Sequence, residues 1–589
     1  MKRFVGVIVV TLLCMLTLSP NRVQAEGEEH GVQIVVDNGT TKTGTYGNIA
    51  EDQWQGAYLS AYNNSTINRT TGDIEVTSEH EGVLASANSG STIILESGNI
   101  SAKNDEGVEA LVSGKNTSIS IKAEDVTTTD KDYSDALNLT AGVGSITVEA
   151  GNVKSDYGDG IEAYVYDGGT ISVDATSVVA PNEAGIYLRT DGGSTAVNVA
   201  EDVTGSYAGA NIGIDKGKSE VKVEGTIKGK EEGIYLFSQD SQDEGVQGIV
   251  AKNITSDDGM GIVISTWSNT TAIISADVIS SGDNSVSIAI DSDSRQKSEN
   301  IDVYAWKIDV NSDGDVAEKF NRNGVELELG EADEKFEKEN VHYFIKLEQP
   351  SEGGTIAATN ESGETLPDMS LVPGARSEEE RWSYAQQDQK VLLKINLEEG
   401  YNLDAVYGDD GKTKTLLFDG ENYYIIVPKG GGVYLSVVIS AKQLKIIDET
   451  KDPHEIGGGQ SHFVEVDADI NDFKQALIDN VDVTKHATVT EGSTIVTFDP
   501  SFLDTLSVGE HDLMLKFRIG IASTKLRVID NNPDNNPSSD SNNTGFAIPK
   551  TGIEDMQKTS SAYKGYMIAS FAVAAAIVTF KRNRKNLVK

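Results

Sequence analysis

The sequence contains one cysteine, Cys14, among 589 residues, and that cysteine lies within the first 25. A chain that loses this segment can form no disulfide, so packing alone must stabilise it. Basic residues are also scarce, since 49 Lys and Arg stand against 92 Asp and Glu and give a net charge of −43. A surface of this charge repels phosphate, which argues against nucleic acid or an anionic membrane as partner and favours solubility.

The N-terminal segment has the order of a secretory signal peptide. Lys2 and Arg3 precede an apolar stretch from Phe4 to Leu18, and Val23-Gln24-Ala25 precede Glu26. This order predicts export, with cleavage after Ala25 and residues 1–25 as the signal peptide. The bulky Leu13 before Cys14 disfavours the alternative of a lipoprotein signal.

The C-terminal segment, 548–589, combines a short motif, an apolar run at 566–580 and the basic residues 581–585. The motif residues are Ile548, Pro549, Lys550, Thr551 and Gly552. Their order resembles the LPxTG sorting signals of Gram-positive surface proteins, with Ile548 in place of leucine. That departure leaves open which class of sortase accepts the motif.

The resemblance implies a sortase transpeptidase and a peptidoglycan precursor as partners. The sortase thiolate would acylate Thr551, which then becomes linked to the wall, while Gly552 and the residues after it are released. We therefore expect an extracellular, wall-anchored protein that contacts the membrane only transiently, through 566–580. A permanent single-span anchor is the alternative, but 15 apolar residues are short for a spanning helix of about 20 residues.

A sequence repeat of about 26 residues runs from Thr40 to Val310. One line of it is a glycine followed by alternating apolar residues, found at Gly82, Gly107, Gly160, Gly185, Gly233 and Gly261. Two further alternating lines follow in each repeat, separated by Gly, Asp, Asn and Ser. Three short strands per repeat predict an all-β fold, a three-sided parallel β-helix of about ten coils. The period of two excludes leucine-rich and helical repeats.

The region 26–340 is expected to comprise this β-helix and its caps. Gly31–Asn38 is expected to start the first coil, and the charged stretch Glu331–Asn340, as a helix, to close or follow the last. The whole region resembles right-handed parallel β-helices of pectate-lyase-like and adhesin type.

Two smaller modules follow the repeats. Residues 341–444 resemble the small β-rich repeat domains of bacterial surface proteins, which implies a spacer or display module. Residues 445–530 resemble carbohydrate-binding X2 modules, on the strength of Phe498, Phe502, Leu506 and His511, which implies an immunoglobulin-like β-sandwich. Residues 531–547 lack the apolar side chains that build a core and are expected to be a disordered linker.

Catalytic signals on the β-helix are few. Pectate lyases and polygalacturonases share this fold, but fold does not fix function. The polygalacturonase-like pair Asp257-Asp258 recurs as Asp156-x-x-Asp159 at the same turn, and Gly-His-Gly is absent. Of the few arginines in the repeats, Arg189 lies within a strand line. We predict no catalytic residues, with a polysaccharide lyase or hydrolase as the alternative.

Outward side chains on the glycine line supply candidate ligand-binding residues. They are Glu162, Tyr164, Tyr187, Arg189, Tyr235 and Phe237. Aromatic faces beside charged groups suit a sugar ring, although exposed tyrosine also simply suits strands. The nonapeptide of calcium-binding β-helices is absent, so no metal site and no cofactor is predicted, apart from weak Ca²⁺ on the surface.

The leading interpretation is a wall-anchored binding or adhesion protein, whose β-helix contacts a polysaccharide or a host or matrix surface. A surface polysaccharide lyase or glycoside hydrolase is one alternative. A structural envelope component without a defined ligand is another.

Overall fold

The computed structural model describes residues 31–129, 133–238, 245–266, 270–282, 287–290, 300–309, 320–322, 325–327, 336, 338–368, 382–409 and 416–530. The predicted signal peptide 1–25, the linker 531–547 and the sorting signal 548–589, with its hydrophobic helix at 566–580, lie outside the described residues.

The N-terminal part is a β-solenoid of about ten turns, which confirms the predicted parallel β-helix. In the first coils, each of the three sides is a separate short strand. These strands are β1 (Val32–Val36), β2 (Thr41–Thr45), β3 (Ile49–Glu51), β4 (Ala57–Ala61), β5 (Thr66–Thr70), β6 (Ile74–Val76), β7 (Val83–Asn88), β8 (Thr92–Glu96), β9 (Ile100–Ala102), β10 (Val108–Ser113), β11 (Ser118–Lys122), β12 (Val126–Thr128) and β13 (Leu137–Ala141).

In the later coils, many strands continue through a corner from one side to the next. They are β14 (Ser145–Ser155), β15 (Ile161–Tyr166), β16 (Thr170–Ala180), β17 (Ile186–Val199), β18 (Val203–Gly205), β19 (Ala208–Gly229), β20 (Glu232–Ser238), β21 (Gly245–Ser256), β22 (Met260–Thr266), β23 (Thr271–Ser280), β24 (Ile288–Ile290) and β25 (Ile301–Ile308).

One side, here called the first side, carries the candidate residues. It consists of β1, β4, β7, β10, β13, β15, the start of β17 and of β19, β20, β22 and β24, all parallel and in register. Alternate residues point inward, and one inward row is buried along the stack. That row is Ile34, Leu59, Ala85, Ala110, Leu139, Ala163, Leu188, Ile212, Leu236 and Ile264. Apolar contacts between successive coils therefore form the core.

The third side of the solenoid contains β3, β6, β9 and β12 in its first coils. Polar side chains join successive coils at the corner that precedes these strands. The Asp73 carboxylate accepts hydrogen bonds from the backbone N–H of Asn99 at 2.8 Å and from its side-chain amide at 3.2 Å. Asp125 binds Asn152 in the same way, at 2.7 and 3.0 Å. The Gly-Asp and Gly-Asn pairs of the sequence repeat are thus corner residues that bond each coil to the next.

The last described coil is covered by residues that follow it in the chain. The strand β28 (Val341–Glu348) pairs in parallel with β25, and the loop at 430–433 bonds to the end of β25. In this loop, Gly430 O accepts from Ile308 N at 2.8 Å, and Gly432 N donates to Trp306 O at 2.7 Å. These bonds occupy backbone groups at an edge that would otherwise be open to another chain.

The two predicted capping segments are only partly described. Strand β1 lies within Gly31–Asn38 and pairs with β4, as expected for a first coil. Residues 336 and 338–340 are helical, and Phe336 is buried. The rest of the stretch from 331 to 337 lies outside the described residues.

A smaller β-rich region follows the solenoid. Its strands, with a short hairpin that precedes it, are β26 (Phe320–Arg322), β27 (Val325–Leu327), β28, β29 (Gly354–Thr359), β30 (Ser383–Ala385), β31 (Lys390–Leu397), β32 (Tyr401–Asp409), β33 (Leu417–Phe418), β34 (Tyr423–Ile426) and β35 (Tyr434–Ala441). Strands β29, β31, β34 and β33 form one antiparallel sheet in that order. Strand β28 pairs with β30 and β35.

The C-terminal strands form separate sheets. They are β36 (Ile446–Glu449), β37 (His454–Glu455), β38 (His462–Val466), β39 (Phe473–Ile478), β40 (Val481–Asp482), β41 (Ala487–Thr490), β42 (Thr494–Phe498), β43 (Gly509–Phe517) and β44 (Gly520–Ile529). One sheet has the order β36-β38-β42-β41 and the other the order β37-β44-β43-β39-β40.

The chain divides into two compact units, and the second contains 446–466, 476–513 and 524–530 of the described residues. Within it, Val464, Val496 and Phe498 are fully buried. The helices of this C-terminal region are short. They are a helix α1 (Pro500–Leu503) and 3₁₀ turns at Ile470–Asp472 and Thr484–His486. No helix in the described part of the chain has the length and apolar character needed to span a membrane.

The close packing at this corner leads to a stability prediction that compares two glycines. Gly47 and Gly98 occupy the same corner in different coils, but a Cβ on Gly98 would lie 2.4 Å from the Asp73 carboxylate, whereas one on Gly47 meets no atom within 4 Å. We expect Gly98→Ala to lower the free energy of unfolding of the solenoid by roughly 1–3 kcal/mol through overpacking. Thermal unfolding followed by circular dichroism measures the change.

Gly47→Ala is the control and should change stability by less than about 0.5 kcal/mol, as an exposed substitution does. Equal effects of the two substitutions would contradict the close packing assigned to this corner.

Candidate functional site

The six candidate residues lie in two outward rows of the first side. The first row runs Glu162, Tyr187, Asn211, Tyr235 and the second runs Tyr164, Arg189, Gly213, Phe237, each residue being in register with the next. All six candidates are half-buried. The inward residues beside them are buried, so the alternation of the strands sets which side chains reach the surface.

The aromatic rings form a continuous strip over four coils. Ring centroids are 5.8 Å apart for Tyr164 and Tyr187, 6.4 Å for Tyr187 and Phe237, and 5.6 Å for Phe237 and Tyr235. Phe237 reaches Tyr187 across an intervening coil because Gly213 leaves room, since a Cβ there would lie 2.4 Å from the ring. These rings are here called the aromatic strip.

Polar groups flank the first end of the aromatic strip. The Tyr164 hydroxyl donates to Glu162 Oε1 at 2.9 Å, and Asn138 Nδ2 donates to Glu162 Oε2 at 3.1 Å. Burial and the neighbouring Glu162 carboxylate raise the pKa of Tyr164 above its usual range. Burial also raises the pKa of Tyr187. Both hydroxyls therefore remain protonated and able to donate at neutral pH.

Arg189 is paired with a buried carboxylate. Its Nη2 lies 3.2 Å from Asp215 Oδ2, and Asp215 is 5% exposed. A buried carboxylate at this distance offsets the charge of the guanidinium. The cation that the sequence suggested for ligand contact is thus already part of an ion pair within the protein.

Asn211 is a polar residue of the strip that the sequence reasoning missed. It lies between Tyr187 and Tyr235 in the first row and is 7% exposed. Its Oδ1 is buried without a hydrogen-bond partner among the described residues. An unpaired buried acceptor is unfavourable by about 1–3 kcal/mol, so Asn211 contributes nothing to the stability of this coil through its oxygen.

Asp135 lies beside Glu162 but serves the fold. Its Oδ1 accepts from the backbone N–H of Asp159 at 2.7 Å, and Asp159 in turn accepts from Ala184 N at 2.9 Å. Burial and the neighbouring Glu162 raise the pKa of Asp135 to about 10. This carboxyl group is therefore neutral at pH 7 and bonds one coil to the next.

The aspartate pair considered for hydrolysis is a repeated turn. Ser256 Oγ accepts from Gly259 N at 2.9 Å, as Ser155 Oγ accepts from Gly158 N at 2.8 Å at the equivalent turn of an earlier coil. Asp257 forms an ion pair with Lys228 at 3.0 Å, on the solvent-exposed surface. The geometry around this pair is that of a surface turn.

One carboxylate group has oxygen ligands suited to a metal ion. Glu81, Asp105 and Glu106 place one oxygen each within 4.8 Å of one another, which is the type of donor set that Ca²⁺ takes. Burial and a hydrogen bond that the protonated Glu106 donates to the Asp105 carboxylate raise the pKa of Glu106 to about 9. A proton therefore occupies this group at neutral pH, and a cation would have to displace it.

Comparisons with known proteins give little guidance. No protein-family model matches the chain, and no curated protein matches it. A similar solved structure is SGBP-B of the Bacteroides ovatus mixed-linkage glucan utilization locus, in complex with a mixed-linkage heptasaccharide. The match has 12% identity and a TM-score of 0.10, and covers 32% of this chain and 65% of that chain, less than two thirds of its length. A TM-score this low carries no argument about the fold or the ligand.

The raised carboxyl pKa values predict how stability depends on pH. Burial raises the pKa of Glu232 from 4.5 to about 8 and that of Glu109, which also faces Glu81, to about 7. Above pH 4.5 the unfolded chain releases protons that the folded chain keeps, so stability falls as pH rises towards 8. The melting temperature of the solenoid should be higher at pH 5 than at pH 8.

Replacing the fully buried Glu232 tests the cause of this trend. Glu232→Gln removes one titrating group and should flatten the decline, whereas Glu75→Gln, at an exposed outward position, should leave it unchanged. A melting temperature that rises between pH 5 and pH 8 in the wild-type protein would contradict the assignment.

Proposed function

We propose that the protein is a surface-displayed binding protein whose solenoid holds a polysaccharide against the aromatic strip. The observation that carries this proposal is the strip itself, with Tyr164, Tyr187, Phe237 and Tyr235 in contact one after another. The strip would make the same contacts with a free polysaccharide and with one that belongs to a host or matrix surface.

The strip offers the two kinds of contact that a sugar needs. The C–H face of a pyranose ring packs on aromatic rings, while its hydroxyls take hydrogen-bond partners. The Tyr164 hydroxyl, Glu162 and Asn138 supply such partners at one end. At the other end, Tyr235 packs against Met260, Val263 and Ala289, which are fixed in the neighbouring coils.

The rigid support of the rings favours a binding role over the alternative that tyrosine occurs here only because it suits a strand. The rings stand on strands whose inward residues are buried, and Gly213 gives Phe237 a fixed position. A site whose side chains are held before the ligand arrives loses little conformational entropy on binding. The role proposed for Asp135 and Asp159 is structural, which favours binding without turnover.

In this proposal the protein is displayed at the cell wall. The support is the order of the N-terminal signal, the motif around Thr551, the apolar run and the basic tail in the sequence. Sortase would join Thr551 to the peptidoglycan precursor, and the strip would then be presented outside the cell.

Two tyrosines test the binding role. Tyr187→Ala and Tyr235→Ala each remove a ring from the strip and should abolish retention on immobilised pectic, plant or host glycans. Loss of one stacked aromatic contact is worth about 0.5–1.5 kcal/mol beyond its buried area, so a weak multi-ring site should fall below detection. Affinity electrophoresis in gels that contain each glycan measures retention.

Tyr407→Ala is the control, because Tyr407 is an exposed tyrosine outside the solenoid. Retention should survive this substitution. Release of unsaturated or reducing ends in the same incubations would instead identify a lyase or hydrolase. Absence of both retention and turnover would favour a structural envelope component.

A second experiment tests display at the wall. In a Gram-positive host that carries a sortase, wild-type protein should be released from purified walls by muramidase. Thr551→Ala removes the acylated residue and should move the protein to the membrane and medium fractions. Thr559→Ala, beyond the motif, should behave as the wild type. An unchanged wall fraction for Thr551→Ala would contradict sortase attachment.

A further inference from the structure

We infer that the aromatic strip selects uncharged sugar chains and rejects chains of uronic acids. This inference rests on the proposed function and names the class of polysaccharide that the strip takes. It is carried by the charges beside the strip.

The net charge beside the strip is negative. The described residues of the two outward rows contain one cation, Arg189, and its charge is offset by the buried Asp215 at 3.2 Å. The first row also contains Glu162, which accepts from the Tyr164 hydroxyl at the first end of the strip. A sugar carboxylate laid on the strip would face Glu162 without a free cation to balance it, and like charges in a half-buried site repel.

The spacing of the strip indicates how such a chain lies. Tyr164, Tyr187 and Tyr235 stand on strands that span four coils, or about 14 Å at the spacing of about 4.8 Å between strands. Glu162 lies on the same strand as Tyr164. A chain that follows the solenoid axis would therefore meet the charge of Glu162 beside the first ring.

Matched pairs of polysaccharides test the inference with the full-length exported protein. One pair is methyl-esterified and de-esterified polygalacturonate, and the other is β-1,4-glucan and its C6-oxidised polyglucuronate. Within each pair the backbone is the same and only the charge at C6 changes. We expect retention of the uncharged member to be at least about tenfold stronger, which corresponds to about 1.4 kcal/mol.

Glu162→Gln should reduce this difference, because it removes the repelling charge and keeps an acceptor for Tyr164. Equal or stronger retention of the acidic members by the wild-type protein would overturn the inference and leave the proposed function standing. If no member of either pair is retained, the proposed function fails and the inference fails with it.

Discussion

The register between successive coils is the constraint on which the solenoid depends. Each strand pairs in parallel with its equivalent in the next coil, so a residue that points inward in one coil must point inward in all of them. Ile34, Leu59 and Ala85 begin such a row. A slip of one residue would expose the row and bury its polar neighbours, and the corner bonds between Asp73 and Asn99 oppose that slip.

The same register builds the aromatic strip. A side chain on the first side has neighbours one coil away on either side, so rings from distant parts of the sequence stack at the strand spacing. Tyr187 and Phe237 are fifty positions apart in sequence and 6.4 Å apart as rings. Backbone pairing thus holds the rings of the strip in fixed positions on the surface.

The repeat made the fold predictable, because three alternating lines with a period of about 26 residues leave little choice of architecture. The outward positions of the six candidate residues followed from the same alternation. Residues missed by the sequence reasoning, Asn138 and Asn211, lie on two coils whose glycine line was not recognised. In the coil of Asn138, Ala136 takes the place of the glycine. In the coil of Asn211, the glycine is Gly209, which lies inside the long strand β19.

Features that depend on contacts across coils or between modules were beyond the sequence. The pairing of Arg189 with Asp215 joins residues 26 positions apart, and nothing in the alternation shows which charges are already balanced. The loop at 430–433 covers the last coil through backbone bonds to Trp306 and Ile308. Backbone groups carry no sequence signature, so an edge covered in this way is visible only in three dimensions.

Buried polar groups that are unfavourable for stability occur in several places on the solenoid. Such a group therefore does not by itself indicate a functional site. Buried carboxyl groups occur at Asp135 beside Glu162, at Glu232 on the strand of Tyr235, and at Glu106, which lies two coils before the aromatic strip begins. A buried carboxyl group by itself is therefore no sign of a ligand in this protein. The aromatic strip differs because its four rings come from three strands and contact one another on the outward face of the first side. Rings that pack on each other at the surface, outside the core, are what single out this part of the first side as the proposed binding site.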